Sequence, residues 1–208
     1  MAKFESTFAV DSSGFSKSRF ARYFSYKHGR DLKHKMWIKV HVICGVKTNV
    51  VTAVTLSDEN RNDYSYLIPL VEKTSQGFDV KEVLADKAYS GRTNHDFVAK
   101  LGGTAYIPFK SNAVSNAKGS QAWRRMYHLF LYKEEEFMAH YHKRSNCETV
   151  FSMIKAKFKD NIRSKGLVAQ KNEILLKVLC HNICVLIQEM NELGISLDLT
   201  KKGKDFLV

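Results

Sequence analysis

Residues 141–155 read YHKRSNCETVFSMIK and carry four polar side chains in the spacing Y-x2-R-x3-E-x6-K: Tyr141, Arg144, Glu148 and Lys155. A helix turns by about 100° per residue, so a continuous helix would place all four within roughly 60° of arc. One acid, two cations and one phenol would then share a face. Such a face would hold the carboxylate against a metal ion while the cations bind phosphates on either side.

The neighbouring face of this predicted helix is apolar and suits packing against a core. It comprises Val150, Phe151, Ile154 and Phe158. Two acids far upstream, Asp11 and Asp86, each end an apolar run typical of a buried strand. With Glu148 they make three carboxylates that would converge to hold two Mg²⁺ or Mn²⁺ ions through oxygen ligands. Two-metal phosphoryl transfer needs no side-chain nucleophile. The alternative interpretation is three ordinary strand-end or helix-surface acids.

Three sequence blocks resemble the catalytic domain of DDE-class transposases from bacterial and archaeal insertion sequences. The first is FAVDSSG at 8–14, and the second is VLADKAY at 83–89, which fits that family's D-x-[GA]-[YF] pattern. The third is the Y-R-E-K spacing of 141–155. Order and spacing agree with the family from about residue 8 to about residue 193.

The resemblance implies an enzyme that cleaves DNA and transfers strands at insertion-sequence ends, with DNA ends and target DNA as partners. It implies that Asp11, Asp86 and Glu148 form the catalytic, metal-binding triad. It also implies that Tyr141, Arg144 and Lys155 contact the transposon end. A homodimer on DNA is part of the same prediction. Arg144 has an alternative role, because it lies four residues before Glu148 and would form an ordinary ion pair within one helix.

The order of predicted elements favours an α/β, RNase H-like mixed sheet of three antiparallel strands and then two parallel strands, flanked by helices. Strands are predicted at 7–11, 36–45, 50–56, 83–86 and 104–108. Helices are predicted from 62 or 63 to 77 and at 94–101, 122–131, 134–158 and 171–192. The acids fall on the first strand, just after the fourth, and on a later helix.

The charge balance favours a polyanionic partner. Thirty-three basic residues against 21 acidic ones give a net charge of +12. No apolar run approaches the roughly 18 residues of a membrane-spanning helix, so nucleic acid is preferred to a membrane surface. The four cysteines do not indicate a disulfide framework in a chain of this length. Cys180 and Cys184 are predicted to be buried core thiols, and the predicted location is the cytoplasm, associated with the nucleoid.

Two basic segments are further candidates for DNA contact. One continues from Lys155 through Lys157 and Lys159, and its alternative interpretation is a solvated helix face. The other is the predicted loop 12–35, in which Lys17, Arg19 and Arg22 are interleaved with aromatic residues. Alternating cations and rings suit strand binding by charge and stacking. Part of that aromatic content would instead anchor the loop to the core.

Ten residues precede Asp11, whereas transposases of this class generally carry an upstream DNA-binding region. The predicted organisation is therefore an RNase H-like catalytic domain at 1–200 and a basic tail at 201–208, with the upstream DNA-binding domain absent. Two alternative functions remain open at this stage. One is a metal-dependent nuclease of the same fold, and the other is an inactive DNA-binding remnant.

Overall fold

A mixed five-stranded sheet forms the centre of the protein in the computed structural model, which describes residues 5–17, 37–58, 61–115 and 119–192. Its strands are β1 (Thr7–Ser16), β2 (Trp37–Gly45), β3 (Val51–Asp58), β4 (Glu82–Ala85) and β5 (Thr104–Tyr106), in the order β3-β2-β1-β4-β5. The first three strands pair antiparallel, and β4 and β5 join in parallel. The predicted fold class is thereby confirmed.

Six α-helices accompany the sheet in the described ranges. They are α1 (Leu67–Ser75), α2 (Arg92–Lys100), α3 (Gln121–Tyr132), α4 (Glu134–Tyr141), α5 (Ser145–Phe158) and α6 (Leu167–Glu192). Single 3-10 turns at Asp63–Tyr66, Lys87–Tyr89 and His142–Arg144 lead into or join them. No helix of this part of the chain is both long and apolar enough to cross a bilayer.

Side chains of β1 point alternately to the two faces of the sheet, and the core forms one layer on each face. Phe8 and Val10 point to one face, where α1 and α2 pack, and Ala9 and Phe15 point to the other. On that second face lie the inner side of α5, with Val150 and Ile154, and the inner side of α6. A strand places alternate residues on opposite faces, so Asp11 shares the α5 face with Ala9. A third, aromatic cluster around Phe109, Trp123 and Phe137 joins β5 to α3 and α4.

Several predicted boundaries are wrong. The largest error concerns 134–158, which was expected to be one helix but is interrupted by the 3-10 turn His142–Arg144. The cause is packing, because Phe137 of α4 belongs to the aromatic cluster whereas Val150 of α5 belongs to the sheet core. The apolar prediction for α5 is confirmed, since Val150, Phe151 and Ile154 are buried.

Other corrections follow from burial and pairing. Strand β1 continues to Ser16 because it stays paired with β2 as far as Trp37, so residues 12–16 do not belong to a loop. Helix α6 begins at Leu167, four residues before the predicted start. Cys180 and Cys184 are half-buried, since they lie on the flank of α6 between its buried and exposed sides, and the prediction of core thiols is wrong for them.

Candidate active site

Two acids lie side by side at the centre of the sheet. In the parallel pair of β1 and β4, Val10 is opposite Ala85, so the next residues along, Asp11 and Asp86, are neighbours at the end of β4. Adjacent strands are about 4.8 Å apart. The sequence places an acid after each apolar run, and parallel pairing brings these two acids together.

Backbone amides hold both carboxylates in position. Asp86 accepts a hydrogen bond from the Ala88 N–H at 2.7 Å and caps the 3-10 turn that follows β4. Asp11 accepts one from the Ser12 N–H at 2.8 Å through Oδ1. Each acid keeps further oxygen lone pairs, since a carboxylate has four acceptor sites. The remaining positions are available to a cation.

Glu148 reaches the site from the first turn of α5, and its side chain is 56% exposed. It connects to Asp11 through Arg144. The Arg144 guanidinium donates from Nη1 to Asp11 Oδ2 at 3.2 Å and from Nη2 to Glu148 Oε1. The expected ion pair between Arg144 and Glu148 is thus present, but it is one half of a bridge between two of the three predicted metal-binding acids.

Burial and nearby negative charges raise the pKa values of two side chains at the site, Asp11 and Tyr89. Burial raises the pKa of Asp11 above its ordinary value, and the charges of Asp86 and Glu148 raise it further against the opposing effects of Ser12 N–H and Arg144. Burial also raises the pKa of Tyr89, with added effects from Asp63, Asp11 and Asp86. The Tyr89 hydroxyl has no hydrogen-bond partner among the described residues. A site of this kind favours binding a cation over holding several bare carboxylates.

The described residues contain no group of three or more His, Cys, Asp or Glu side chains placed to hold a metal ion as they stand. The Arg144 guanidinium lies between two of the three acids, Asp11 and Glu148. The donor set nevertheless fits a hard divalent cation, since Asp11, Asp86 and Glu148 offer carboxylate oxygens and their charges repel one another.

Lys155 lies on the same sheet face as Asp11. Its ammonium donates to Ser13 Oγ at 2.7 Å and sits 5.4 Å from the centre of the Phe15 ring. Ser13 follows Asp11 by two residues and so points to the same side of β1. Burial lowers the pKa of Lys155, with a partial opposing effect from Asp160.

Tyr141 is half-buried at the end of α4, where its ring packs against the aromatic cluster at 6.2 Å from Phe137. The Arg144 guanidinium carbon lies 5.9 Å from the centre of the same ring. Tyr141 therefore supports the arginine that bridges the acids. A 3-10 turn at His142–Arg144 separates α4 from α5. Tyr141, Arg144 and Glu148 nevertheless stay in line across it, since Arg144 contacts both of the other side chains.

The other predicted DNA contacts are dispersed. Lys157 lines a groove between α5 and α6 with His181, away from the acids. Lys159 is exposed and has a positive φ of 67° where α5 ends. Lys17 follows the end of β1, and the neighbouring Ser16 N–H donates to Asp160 O at 2.9 Å, which places Lys17 near Lys159. Arg19 and Arg22 lie outside the described residues.

The family profile described as transposase DDE domain matches residues 2–183. The chain belongs to this family. No curated protein matches it. Among solved structures, a chain of the cryo-EM structure of the piggyBac transposase synaptic complex with hairpin DNA is similar, with a TM-score of 0.54 and 9% identity. The match covers 92% of this chain and 49% of that chain, so this DDE domain spans about half the length of that transposase. At such low identity the likeness shows the fold.

Sequence reasoning missed several polar residues beside the site of this DDE domain. His41 is fully buried in β2, with Nδ1 3.3 Å from Asp63 Oδ1 and Nε2 2.8 Å from Ser57 Oγ. Lys39 Nζ lies 2.7 Å from the same Asp63 oxygen. Asp63 also interacts with Ser12, next to Asp11. The available signal was a polar His inside the otherwise apolar run of β2. Its partner Ser57 depends on the β2–β3 register, and its partner Asp63 depends on where the 3-10 turn after β3 packs.

Proposed function

We propose that this chain is a transposase catalytic domain that cleaves DNA strands and joins 3′-hydroxyl ends to target DNA. In this proposal Asp11, Asp86 and Glu148 hold two divalent metal ions, Mg²⁺ or Mn²⁺. The observation that carries it is the placement of Asp11, within β1, beside Asp86 at the end of β4, with Glu148 linked to Asp11 through one arginine. Membership of the transposase DDE domain family supports the same conclusion.

The chemistry of the three acids supports the metal assignment. Bound divalent ions would activate water or a 3′-hydroxyl and stabilise the leaving oxygen of the phosphodiester. Asp11 lies on the central strand and is fixed by Ser12 N–H, and Asp86 is fixed by Ala88 N–H. These two carboxylates provide a rigid base. Glu148 is the mobile member, because its exposed side chain is held by Arg144 alone among the contacts described for it.

Arg144 would change partners when DNA binds. Guanidinium groups bind phosphate oxygens in the same forked geometry that they use for carboxylates. A phosphodiester near the acids would therefore compete with Asp11 and Glu148 for Arg144. Transfer of Arg144 to the phosphate would release both carboxylates for metal. DNA binding and metal binding would then favour each other, so the complete metal site would form only with DNA bound.

Lys155 would bind a second phosphate. Its ammonium is held by Ser13, one strand period beyond Asp11 on the same face, about 7 Å along β1. Lys17 and Lys159 would extend this cationic track where β1 ends beside the end of α5. Lys157 lies on the opposite flank and is outside the proposed track. The proposed path of the DNA backbone thus passes Arg144, the acids and Lys155 in that order.

A strand-transfer assay with labelled, pre-cleaved DNA ends and a plasmid target tests the proposal. The wild type with Mn²⁺ or Mg²⁺ should join the ends to the plasmid, and Asp11→Asn, Asp86→Asn and Glu148→Gln should each abolish joining. Asp58→Asn is the matched control, because Asp58 also ends a strand but lies on the edge strand β3. Cleavage without joining would indicate the nuclease alternative. Full activity in any of the three site variants would disprove the triad.

A further inference from the structure

Tyr89 is held at a fixed position three residues after Asp86, and only 1% of it is exposed. It ends the 3-10 turn Lys87–Tyr89, in which the Tyr89 N–H donates to Asp86 O at 3.1 Å. The Tyr89 carbonyl accepts a hydrogen bond from the buried side-chain amide of Asn94 at 2.8 Å. Both backbone polar groups of Tyr89 are thus satisfied by neighbours in the protein.

The ring of Tyr89 is part of the core that supports the two aspartates. It belongs to the same buried cluster as Val10 and Ala85. These two residues are opposite each other in the β1–β4 pair, and they immediately precede Asp11 and Asp86. The Tyr89 ring therefore lies in the core layer next to the point where both acids leave the sheet.

The hydroxyl of Tyr89 lies within electrostatic range of three acids from three different elements. The turn Asp63–Tyr66 packs against the turn Lys87–Tyr89 and brings Asp63 close to the hydroxyl. The charges of Asp63, Asp11 and Asp86 all raise the pKa of Tyr89 in addition to the effect of burial, and Asp63 has the largest effect of the three. The phenol therefore keeps its proton and can both donate and accept a hydrogen bond.

Among the described residues, this hydroxyl has no hydrogen-bond partner. Buried polar groups in proteins are nearly always paired, and an unpaired hydroxyl destabilises the fold. A phenylalanine would fill the same space without that cost. The D-x-[GA]-[YF] pattern accepts phenylalanine at this position, so the family resemblance assigns no role to the hydroxyl. The hydroxyl therefore needs a partner from outside the described chain.

We propose that Tyr89 is a positioning residue whose hydroxyl binds a water ligand of a divalent cation held by Asp11 and Asp86. This inference rests on the proposed function, because it requires a cation at these two acids. A Mg²⁺ ion bound through one or two carboxylates keeps several of its waters. Groups that hydrogen-bond to the ligands of a metal ion orient those ligands and strengthen binding of the ion.

The direction of each hydrogen bond follows from the charges. A cation polarises its bound water, so the hydrogens of that water are strong donors and the Tyr89 oxygen would accept one of them. The Tyr89 proton would then point toward Asp63, the acid with the strongest electrostatic effect on it. Tyr89 would thus connect the water of the cation to an acid that is itself held by Lys39 and His41.

Two measurements on Tyr89→Phe test the inference: Mn²⁺ binding by the DNA-free protein, followed through the electron paramagnetic resonance signal of free Mn²⁺, and thermal unfolding without metal. In this state the cation would bind to the two rigid aspartates alone. The variant should bind Mn²⁺ about tenfold more weakly than the wild type. Its unfolding midpoint without metal should be equal to or above that of the wild type, because no described hydrogen bond is lost.

Tyr127→Phe is the matched control, since the Tyr127 hydroxyl donates to Ala113 O at 3.1 Å, in the aromatic cluster. This variant loses a hydrogen bond within the protein, so its unfolding midpoint should fall while its Mn²⁺ affinity stays that of the wild type. Asp11→Asn tests the proposed function separately and should abolish the Mn²⁺ binding. The opposite responses of the two tyrosines distinguish positioning of a metal ligand from a structural role.

Three outcomes would overturn the inference. If Tyr89→Phe binds Mn²⁺ as tightly as the wild type while Asp11→Asn does not bind it, the hydroxyl has no role at the cation and the proposed function stands. If Tyr89→Phe unfolds at a lower temperature than the wild type without metal, the hydroxyl has a partner within the protein. If the wild type shows no saturable Mn²⁺ binding, or Asp11→Asn retains it, the metal site of the proposed function fails together with the inference.

Discussion

Arg144 and Asp11 are 133 positions apart in the chain, yet Arg144 Nη1 lies 3.2 Å from Asp11 Oδ2. The contact forms because β1 runs through the middle of the sheet and the 3-10 turn His142–Arg144 packs against it. Both side chains are less than one fifth exposed, so the attraction is weakly screened by water. A cation of the protein itself therefore neutralises the carboxylate at the centre of the site.

Replacing Arg144 should make the acids more receptive to metal while lowering stability in metal-free buffer. Arg144→Ala removes a partly buried, charge-assisted contact with Asp11, worth about 1–2 kcal/mol. Its contact with the exposed Glu148 contributes little. Without the guanidinium, Mn²⁺ should stabilise the variant more than the wild type, because stabilisation by a ligand at a given concentration rises with the logarithm of its affinity. Thermal unfolding with and without Mn²⁺ measures both effects.

The neighbouring Lys143 provides the control for this experiment. It lies in the same 3-10 turn but is exposed, so Lys143→Ala should leave both the unfolding midpoint and the Mn²⁺ effect near those of the wild type. Equal stabilisation of Arg144→Ala and the wild type by Mn²⁺ would mean that the arginine does not compete with metal.

The positions of the acids could be predicted from sequence because each depends on a local pattern. Asp11 and Asp86 end apolar runs, and parallel pairing of those runs places the acids together. Glu148 belongs to a helix whose apolar side is readable from spacing. In each case a short segment contains the needed information, and the sheet topology then brings the segments together.

The Arg144 bridge and the break before α5 could not be predicted in the same way. Periodicity continues from 134 to 158, whereas the break arises because Phe137 and Val150 pack into different clusters. The spacing of Arg144 and Glu148 predicts an ion pair within one helix, but the contact with Asp11 depends on how the helix sits over β1. Such tertiary contacts require knowledge of which elements are neighbours.

Ionised Asp63 should stabilise the folded protein, and this stabilisation should be lost in acid. Burial opposes ionisation of Asp63, but His41 and Lys39 outweigh it and lower the pKa of Asp63 from 3.8 to about 2. A carboxyl with a lower pKa in the folded state contributes stability above its unfolded pKa and loses it as pH falls through the folded pKa. This contribution, roughly 2 kcal/mol at most, should be complete above pH 3.8 and vanish toward pH 2.

Urea unfolding at decreasing pH measures this contribution. Asp63→Asn should be less stable than the wild type at neutral pH, and the difference should close as the pH falls below 3.8. Asp58→Asn, at the exposed end of β3, should follow the wild type throughout. A difference between Asp63→Asn and the wild type that stays constant in acid would show that Asp63 acts through packing rather than charge.

Ile154 should be a major contributor to the packing of α5, the helix that carries Glu148. Ile154 is fully buried between α5 and the sheet, so Ile154→Ala should lower the free energy of unfolding by about 2–5 kcal/mol. The adjacent Met153 is 37% exposed, and Met153→Ala should lower it by less than ~1 kcal/mol. Chemical denaturation of both variants checks the difference, and equal losses would contradict the assignment of Ile154 to the core.

Lys155 and Lys157 provide a matched pair for locating the DNA. Lys155 lies on the acid side of α5, against Ser13, and Lys157 lies on the side facing α6. Lys155→Ala should weaken DNA binding. It should also reduce the slope of log affinity against log salt concentration by about one unit, because one phosphate contact is lost. Lys157→Ala should change neither quantity, although both variants lose the same charge.

The comparison separates a specific phosphate contact from a general effect of net charge. If both variants lose affinity equally, the cations act through the overall field of a protein with net charge +12, and the proposed track past the acids is wrong. If Lys155→Ala alone loses affinity, its effect on strand transfer should be larger than its effect on Mn²⁺ binding without DNA. The reason is that the Lys155 ammonium contacts Ser13 and carries no oxygen that could ligate a metal ion.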